Sequence, residues 1–276
     1  MPELPEVEAV AVTLRPLVRG KTIRRCRIIH SIAVRPPAGY GEKRAARQIE
    51  SQLKGRKILE VERLGKYLLL RFERGFVALH FRLDGQLVWF ADSKLSGHID
   101  VAFHMDRGTL GFVDRRHFGR VQWLERIADS KGIDQLGVDP LSKEFTVGCL
   151  ENLLSSSKRP LKEFLLEQDK IAGIGNIYSS ESLWRARLDP RRRAYRVTPA
   201  EARRLHKAIV DVLRRALECC LDPAPDFRNP DWWFQGLENI LRAYDREGLR
   251  CRRCKGRIRR IEQGGRSTYA CLKCQK

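Results

Sequence analysis

Short runs in which apolar and polar residues alternate fill the first half of the chain. KYLLLRFERGFVALHFRLDGQLVWF (66–90) is a series of such runs broken by Gly75 and Gly85, and IDVAFHMDRGTLGFVD (99–114) repeats the pattern around Asp106-Arg107-Gly108. Period-two alternation punctuated by glycine predicts antiparallel strands joined by tight turns. One helix opens the chain: Pro5 lies in its first turn, Glu6 and Glu8 follow, and Gly20 ends it. Residues 1–138 are therefore expected to form a β-sandwich with a helix at its edge.

Beyond residue 138 the apolar spacing changes to three and four. FTVGCLENLL, RPLKEFLLEQ, GNIYSSESLWRAR and TPAEARRLHKAIVDVLRRALECC each predict a helix, the last capped by Thr198 with Pro199 and Glu201 behind it. The turn DKIAGIGN (169–176) places two glycines just before a helix. Its backbone N–H groups suit a phosphate, and a plain helix-to-helix turn fits as well. Pro223, Pro225 and Pro230 precede Trp232-Trp233-Phe234, so 221–248 reads as a loop with one short helix, and 249–276 as a compact tail. The expected fold class is multidomain α+β, divided at 1–138, 139–248 and 249–276.

Charge narrows the partners. Fifty-four Lys and Arg against 34 Asp and Glu leave a formal charge of +20. That excess fits a polyanion, nucleic acid first and acidic membrane second, or a merely solvated basic surface. No apolar run reaches the roughly 18 residues of a membrane span, and MPELPEVEAV lacks the order of a signal peptide, so a cytoplasmic or nucleoid setting is expected.

Four of the eight cysteines, Cys251, Cys254, Cys271 and Cys274, are spaced C-x2-C-x16-C-x2-C. Two such knuckles supply the four thiolates that Zn²⁺ prefers, and a closed four-sulfur shell makes one structural zinc per chain the expected cofactor. The same tail carries ten Lys or Arg against one acid, Glu262, which suits phosphate contact. At the other end, removal of Met1 would expose the secondary amine of Pro2 beside Glu3. Such an amine is partly unprotonated near neutrality and forms Schiff bases, with the carboxylate available to move protons. Met-Pro starts are common, and on these residues alone a start with no chemical task is the more frequent case.

MPELPEVE (1–8), GKYLLL (65–70), the D-x-R-x-F-G block at 114–119, GIGNIYSSESLW (173–184) and the tail ending QGGRSTYACLKCQK occur together and in order. This set resembles the formamidopyrimidine-DNA glycosylase and endonuclease VIII family, and PELPEVE with GIGNIY is more similar to the formamidopyrimidine branch. The resemblance implies a bifunctional glycosylase and abasic-site lyase of base-excision repair. It would remove formamidopyrimidines and 8-oxoguanine through a Pro2 Schiff base, then cleave the strand by β- and δ-elimination. It implies a helix-two-turn-helix module within 139–248, with about 221–248 capping the lesion, and a monomer acting on double-stranded DNA with damaged or abasic sites. By the same resemblance Glu3 moves protons at the sugar, Lys66 assists elimination, and Arg266 grips the phosphates beside the lesion. Glu6 orders the site, Asn176 holds a phosphate, and Arg116 with Phe118 enters the stack where the base leaves it. The same machinery acting on oxidised pyrimidines or bulkier lesions is an alternative. A silent damaged-DNA-binding protein is another, against which the intact Pro2-Glu3-Lys66-Arg266 set speaks.

The chain departs from the family pattern in places. HLGMSG becomes His80-Phe81-Arg82-Leu83-Asp84-Gly85, so Leu83 takes the place of the gap-filling methionine. Asp84 puts a carboxylate near DNA, unfavourable unless it is paired. His117 stands where the family block has a second arginine, and Ser96 where it has a DNA-contacting histidine. The prolines of 221–248 remove backbone donors from the capping segment, which points to a broader or shifted lesion range with Trp232 and Trp233 as stacking faces.

Overall fold

A computed structural model describes residues 2–37, 39–92, 95, 97–229 and 234–276. Met1, Ser96, Trp232 and Trp233, on which parts of the sequence reading fall, lie outside the described residues. The chain folds into two compact units. One comprises Pro2, Glu6–Asp134 and the described part of Pro223–Phe234; the other comprises Glu3–Pro5, Gln135–Asp222 and Gln235–Lys276.

The first unit carries α1 (Leu4–Val18, all but its first two residues), β1 (Ile23–Ile28), α2 (Glu42–Leu53), β2 (Glu60–Leu64), β3 (Tyr67–Arg71), β4 (Phe76–His80), β5 (Gln86–Phe90), β6 (Val101–Met105), β7 (Thr109–Val113), β8 (Arg120–Leu124) and α3 (Lys131–Asp134). Its strands make two antiparallel four-stranded sheets, ordered β1-β6-β7-β5 and β2-β3-β4-β8. The period-two alternation sets the core: Leu68 and Leu70, Val77 and Leu79, Val101 and Phe103, Leu110 and Phe112 point into one apolar cluster. Val7, Val10, Leu14 and Val18 of α1 join the same cluster at helical spacing. The sandwich is as expected, but α2 is not a strand. Its apolar stripe is Ala45, Ala46, Ile49 and Leu53, set at helical spacing in an otherwise polar stretch.

Phe227, from the proline-rich segment, is fully enclosed in this core, and its carbonyl accepts the Trp89 N–H at 2.6 Å. Phe234, partly buried, packs on the same cluster, so two aromatics fasten the segment to the sandwich, which the sequence reading did not foresee.

The second unit carries α4 (Val147–Ser155), α5 (Leu161–Leu166), α6 (Asn176–Ala186), α7 (Pro199–Leu221), α8 (Leu237–Ile240) and the hairpin β9 (Arg259–Gln263) with β10 (Arg266–Ala270). Each of the four expected helices is present. Thr146 caps α4, and Thr198 with Glu201 forms the reciprocal capping box of α7. A second apolar cluster fills the space between α4, α5, α6 and α7, and a third, smaller one lies under the hairpin.

Candidate active site and metal centre

In the second unit the GIGNIY segment is a carboxylate clamp. The Glu3 carboxylate accepts the N–H groups of Gly175 at 2.7 Å, Ile177 at 2.9 Å and Tyr178 at 3.3 Å, at the N-terminal end of α6. Three backbone donors and the positive end of a helix dipole hold this buried oxyanion in one place. Gly173 makes the approach possible. Its φ is +89°, and a Cβ there would lie 2.7 Å from Leu4 Cβ. The Leu4 N–H donates to the Gly173 carbonyl at 3.1 Å, fixing the residue next to Glu3.

Lys162, which the sequence reading passed over, belongs to this cluster. It is wholly buried and donates to the Asn176 carbonyl at 2.9 Å and to Ser180 Oγ at 2.6 Å. Burial pushes its ammonium down to about 7, while Glu3 pulls it back up and Arg266 pushes it further down. Glu3 and Arg266 are therefore within electrostatic reach of one lysine. Its only signal in sequence is a cation inside the apolar run LKEFLL. Asn176 opens α6 and is half-buried. Further along, the Glu181 carboxylate accepts the N–H groups of Arg242, Ala243 and Tyr244 at 2.9, 2.8 and 2.7 Å, and burial pushes its carboxyl up to about 7.

The hairpin hangs from α6. Cys251, Cys254, Cys271 and Cys274 present sulfurs that all lie within 4.8 Å of one another, with separations of 3.9 Å for Cys251–Cys274 and 3.4 Å for Cys254–Cys271. A tetrahedral ion at about 2.3 Å from each sulfur spaces them about 3.8 Å apart, so the cluster fits one structural zinc. Trp184 Nε1 donates to Cys251 Sγ at 3.3 Å. Burial raises the Cys251 thiol, but this N–H and those of Arg253 and Cys254 outweigh it and hold the thiol at about 6, suited to a thiolate ligand. Arg266 begins β10 directly after Gly264-Gly265, exposed at the hairpin turn.

In the first unit Pro2 and Glu6 are buried at the start of α1. Lys66 is 8% exposed, set between β2 and β3 behind Gly65 at φ +58°. It faces His80, whose imidazolium burial disfavours first and Arg82 and Lys66 disfavour further, down to about 3. His80 Nδ1 accepts the Arg82 N–H at 3.0 Å, shaping the turn that exposes Leu83.

Asp84 is paired: its Oδ2 lies 3.2 Å from Arg116 Nε, and the Arg116 guanidinium sits 5.0 Å above the ring of Phe118. Phe118 is 46% exposed, unusual for so large an apolar side chain. The turn that presents it is built on buried Asp114, whose carboxylate accepts the N–H of Arg116 at 3.0 Å and that of Gly119. Leu83, Asp84, Arg116 and Phe118 thus gather on one edge of the sandwich.

Residues 1–121 match the formamidopyrimidine-DNA glycosylase N-terminal domain, 136–222 the H2TH domain of the same glycosylase, and 248–276 the zinc finger found in FPG and IleRS. The chain is 38% identical over 282 residues to the formamidopyrimidine-DNA glycosylase of Pelotomaculum thermopropionicum, covering 100% of this chain and 99% of the relative. It is 39% identical over 281 residues to that of Thermus thermophilus, covering 100% and 98%. Among solved structures, the MutM (FPG) protein of Thermus thermophilus aligns with a TM-score of 0.83 at 37% identity, covering 99% of this chain and 98% of that one. The wild-type Lactococcus lactis FPG (MutM), solved with DNA containing an oxidised pyrimidine, aligns with a TM-score of 0.86 at 26% identity over 100% of both chains.

Proposed function

The chain belongs to the formamidopyrimidine-DNA glycosylase family, and we propose that it is a bifunctional DNA glycosylase and abasic-site lyase that removes oxidised bases, purines first, from double-stranded DNA. The Pro2 amine, freed of Met1, attacks C1′ of the damaged nucleotide. The glycosidic bond breaks and its electron pair leaves with the base, which takes up a proton; the amine nitrogen gives up its own proton, and the C1′–O4′ bond then opens, O4′ taking up a proton, to leave a C1′ iminium. The resulting iminium acidifies the C2′ hydrogen. Loss of that proton expels the 3′ phosphate, and a second elimination expels the 5′ phosphate. Glu3 moves the protons at the sugar, Glu6 orders the start of α1, and Lys66 assists elimination. Arg266 and Asn176 hold phosphates, and Arg116, Phe118 and Leu83 fill the gap left by the extruded base. Residues 1–138 carry the nucleophile and wedge, 139–248 the helical DNA grip and lesion cap, and 249–276 the zinc hairpin. The setting is the cytoplasm, on the nucleoid; among the described residues no helix is long and apolar enough to cross a membrane.

The observation that carries this reading is the clamp of Glu3 by three N–H groups of the GIGNIY segment. It fixes a carboxylate one residue from the Pro2 amine, and a pure DNA binder has no use for it. Borohydride trapping on an abasic-site duplex tests it. The Met1-free chain is expected to give a covalent adduct that Pro2→Gly severely weakens and a retained Met1 abolishes. Undiminished trapping with Met1 retained would make a lysine the nucleophile.

Lesion choice rests on the capping segment. Pro223 and Pro225 have no N–H to offer a flipped base. Excision compared across 8-oxoguanine, formamidopyrimidine, an oxidised pyrimidine and a plain abasic site is expected to favour ring-opened purines over 8-oxoguanine. Fast excision of 8-oxoguanine opposite cytosine, unchanged by Trp232→Ala and Trp233→Ala, would sink this shift and return the chain to the family's usual role on 8-oxoguanine and formamidopyrimidines.

A further inference from the structure

Three imidazoles converge on one buried carboxylate in the first unit. Asp100 is fully buried, and its Oδ1 lies 3.1 Å from His30 Nδ1, 3.3 Å from His98 Nε2 and 3.0 Å from His117 Nδ1. The rings pack on one another, His30 against His98 at 4.9 Å between centroids and His117 at 5.4 Å from each. The four residues come from separate places: the end of β1, the lead into β6, and the turn between β7 and β8. The reaction proposed above uses none of them.

A hydrogen-bonded network leaves part of this geometry unexplained. His98 Nε2 and His117 Nδ1 are buried atoms at contact distance from the carboxylate, yet neither has a hydrogen-bond partner among the described residues. The N–H directions do not point at Oδ1, although the distances would allow it. Unpaired buried nitrogens are costly and call for a reason, of which a bound ion is one. Two imidazole nitrogens beside one carboxylate oxygen are a donor set for a borderline divalent ion, and imidazole is the commonest protein ligand for such ions. A tetrahedral ion held at about 2.0–2.1 Å places its ligand atoms about 3.3 Å apart. The separations of 3.1 and 3.3 Å from His30 and His98 to Asp100 Oδ1 match that edge length. Ligand atoms of His30, His98 and Asp100 all lie within 4.8 Å of one another.

We propose that His30, His98 and Asp100 form a second divalent transition-metal site, of the zinc class and distinct from the four-cysteine centre. Three protein ligands leave one position of a tetrahedral shell for water. What it would fasten is specific. His117, outside that shell, sits at φ +54° between Arg116 and Phe118 with its Nδ1 3.0 Å from Asp100 Oδ1, and the Asp114 N–H donates to Asp100 Oδ2 at 2.6 Å. By fixing Asp100, the ion would steady the turn that carries the wedge.

Metal content of the full-length, tag-free chain with its cysteine zinc in place tests the site. Zn²⁺ titration followed by calorimetry and elemental analysis is expected to find one further equivalent per chain. Added Zn²⁺ is expected to raise the thermal midpoint. The double variant His30→Asn, His98→Asn, in which both replaced rings are partly exposed, should lose that equivalent and the thermal response while keeping its circular dichroism. With Co²⁺ in its place, the extra equivalent should add no thiolate charge-transfer band. No further equivalent in the parent chain, or the same uptake and thermal response in the double variant, would overturn the site.

Discussion

The sandwich and the zinc hairpin hold their shapes by opposite means. The sandwich fills its interior with apolar volume: Phe103, Phe112, Leu14 and Ile23 are among its fully buried side chains. The hairpin has two five-residue strands and a small cluster around Trp184, Ile258, Tyr269, Cys251 and Cys271. A two-stranded hairpin is marginal in water without help, so the metal must supply what the core does not. Charge divides in the same way. The sandwich pairs some of its arginines internally, Arg15 with Glu60, Arg63 with Glu8, Arg71 with Glu62 and Arg116 with Asp84. Among the described residues none of the ten basic side chains of 249–276 has an ion-pair partner; Arg253 stacks on Trp184 and Arg260 bonds Ser267 Oγ. One region has a large apolar core and pairs part of its charge. The other needs an ion to fold and leaves its charge for an outside polyanion.

Removing the hairpin's metal is the strongest way to break that contrast. Structural zinc in small domains contributes about 10–16 kcal/mol of apparent binding free energy at neutral pH. Cys271→Ser is expected to lose the four-cysteine metal and most DNA affinity, while the urea midpoint of the sandwich stays put. A large drop in that midpoint would mean the two regions do not stand separately. The converse is Phe103→Ala, which should cost about 3–5 kcal/mol in urea unfolding and leave hairpin cobalt spectra unchanged.

Gly173→Ala probes the clamp rather than either core. A left-handed backbone costs a non-glycine residue about 1–3 kcal/mol, and the new methyl would press on Leu4. Displacing Leu4 displaces Glu3, so borohydride trapping should fall by more than the stability change accounts for. Equal losses would make Gly173 a packing residue only.

How far these features could be read in advance follows from how local they are. The zinc quartet, the helices α4 to α7 and the Thr198 cap are legible because their determinants lie within a few residues of one another. The condition placed on Asp84, that it be paired, is met by Arg116, thirty-two positions away, a partner no local pattern names. Lys162, Phe227 and the histidines around Asp100 were missed for the same reason. Each depends on chain segments that meet only in the fold, and each looks ordinary in its own window: a lysine in a helix, a phenylalanine among prolines, scattered histidines. Helix α2 was passed over although Ala45, Ala46, Ile49 and Leu53 recur at helical spacing, so its signal was local and readable.

The pH response sharpens the comparison further, since the sandwich holds a half-buried neutral histidine. The folded pKa of His80 is depressed to about 3, below its ordinary value of 6.5. The unfolded chain therefore binds the proton more readily between those values. The stability from keeping His80 neutral is complete above pH 6.5 and is lost as pH falls toward 3, at up to about 1.4 kcal/mol per pH unit. His80→Asn should flatten the acid limb of the sandwich's unfolding curve by that slope. An unaltered limb would assign acid sensitivity to the carboxylates alone.

The smallest effect separates the two kinds of charge. An arginine already paired in the fold releases few counterions when DNA binds, whereas an unpaired one at the hairpin turn releases about one. Arg266→Ala is expected to lower the slope of log affinity against log salt by about 0.9, uniformly across undamaged sequences. Arg71→Ala, which removes a partner of Glu62 on the sandwich, should leave the slope unchanged. Arg266 also pushes on the Lys162 ammonium, so its removal should let that group titrate higher and slow strand cleavage beyond the loss in affinity. Equal slopes for the two variants would place Arg266 off the DNA, and the hairpin's unpaired charge would then serve solubility rather than grip.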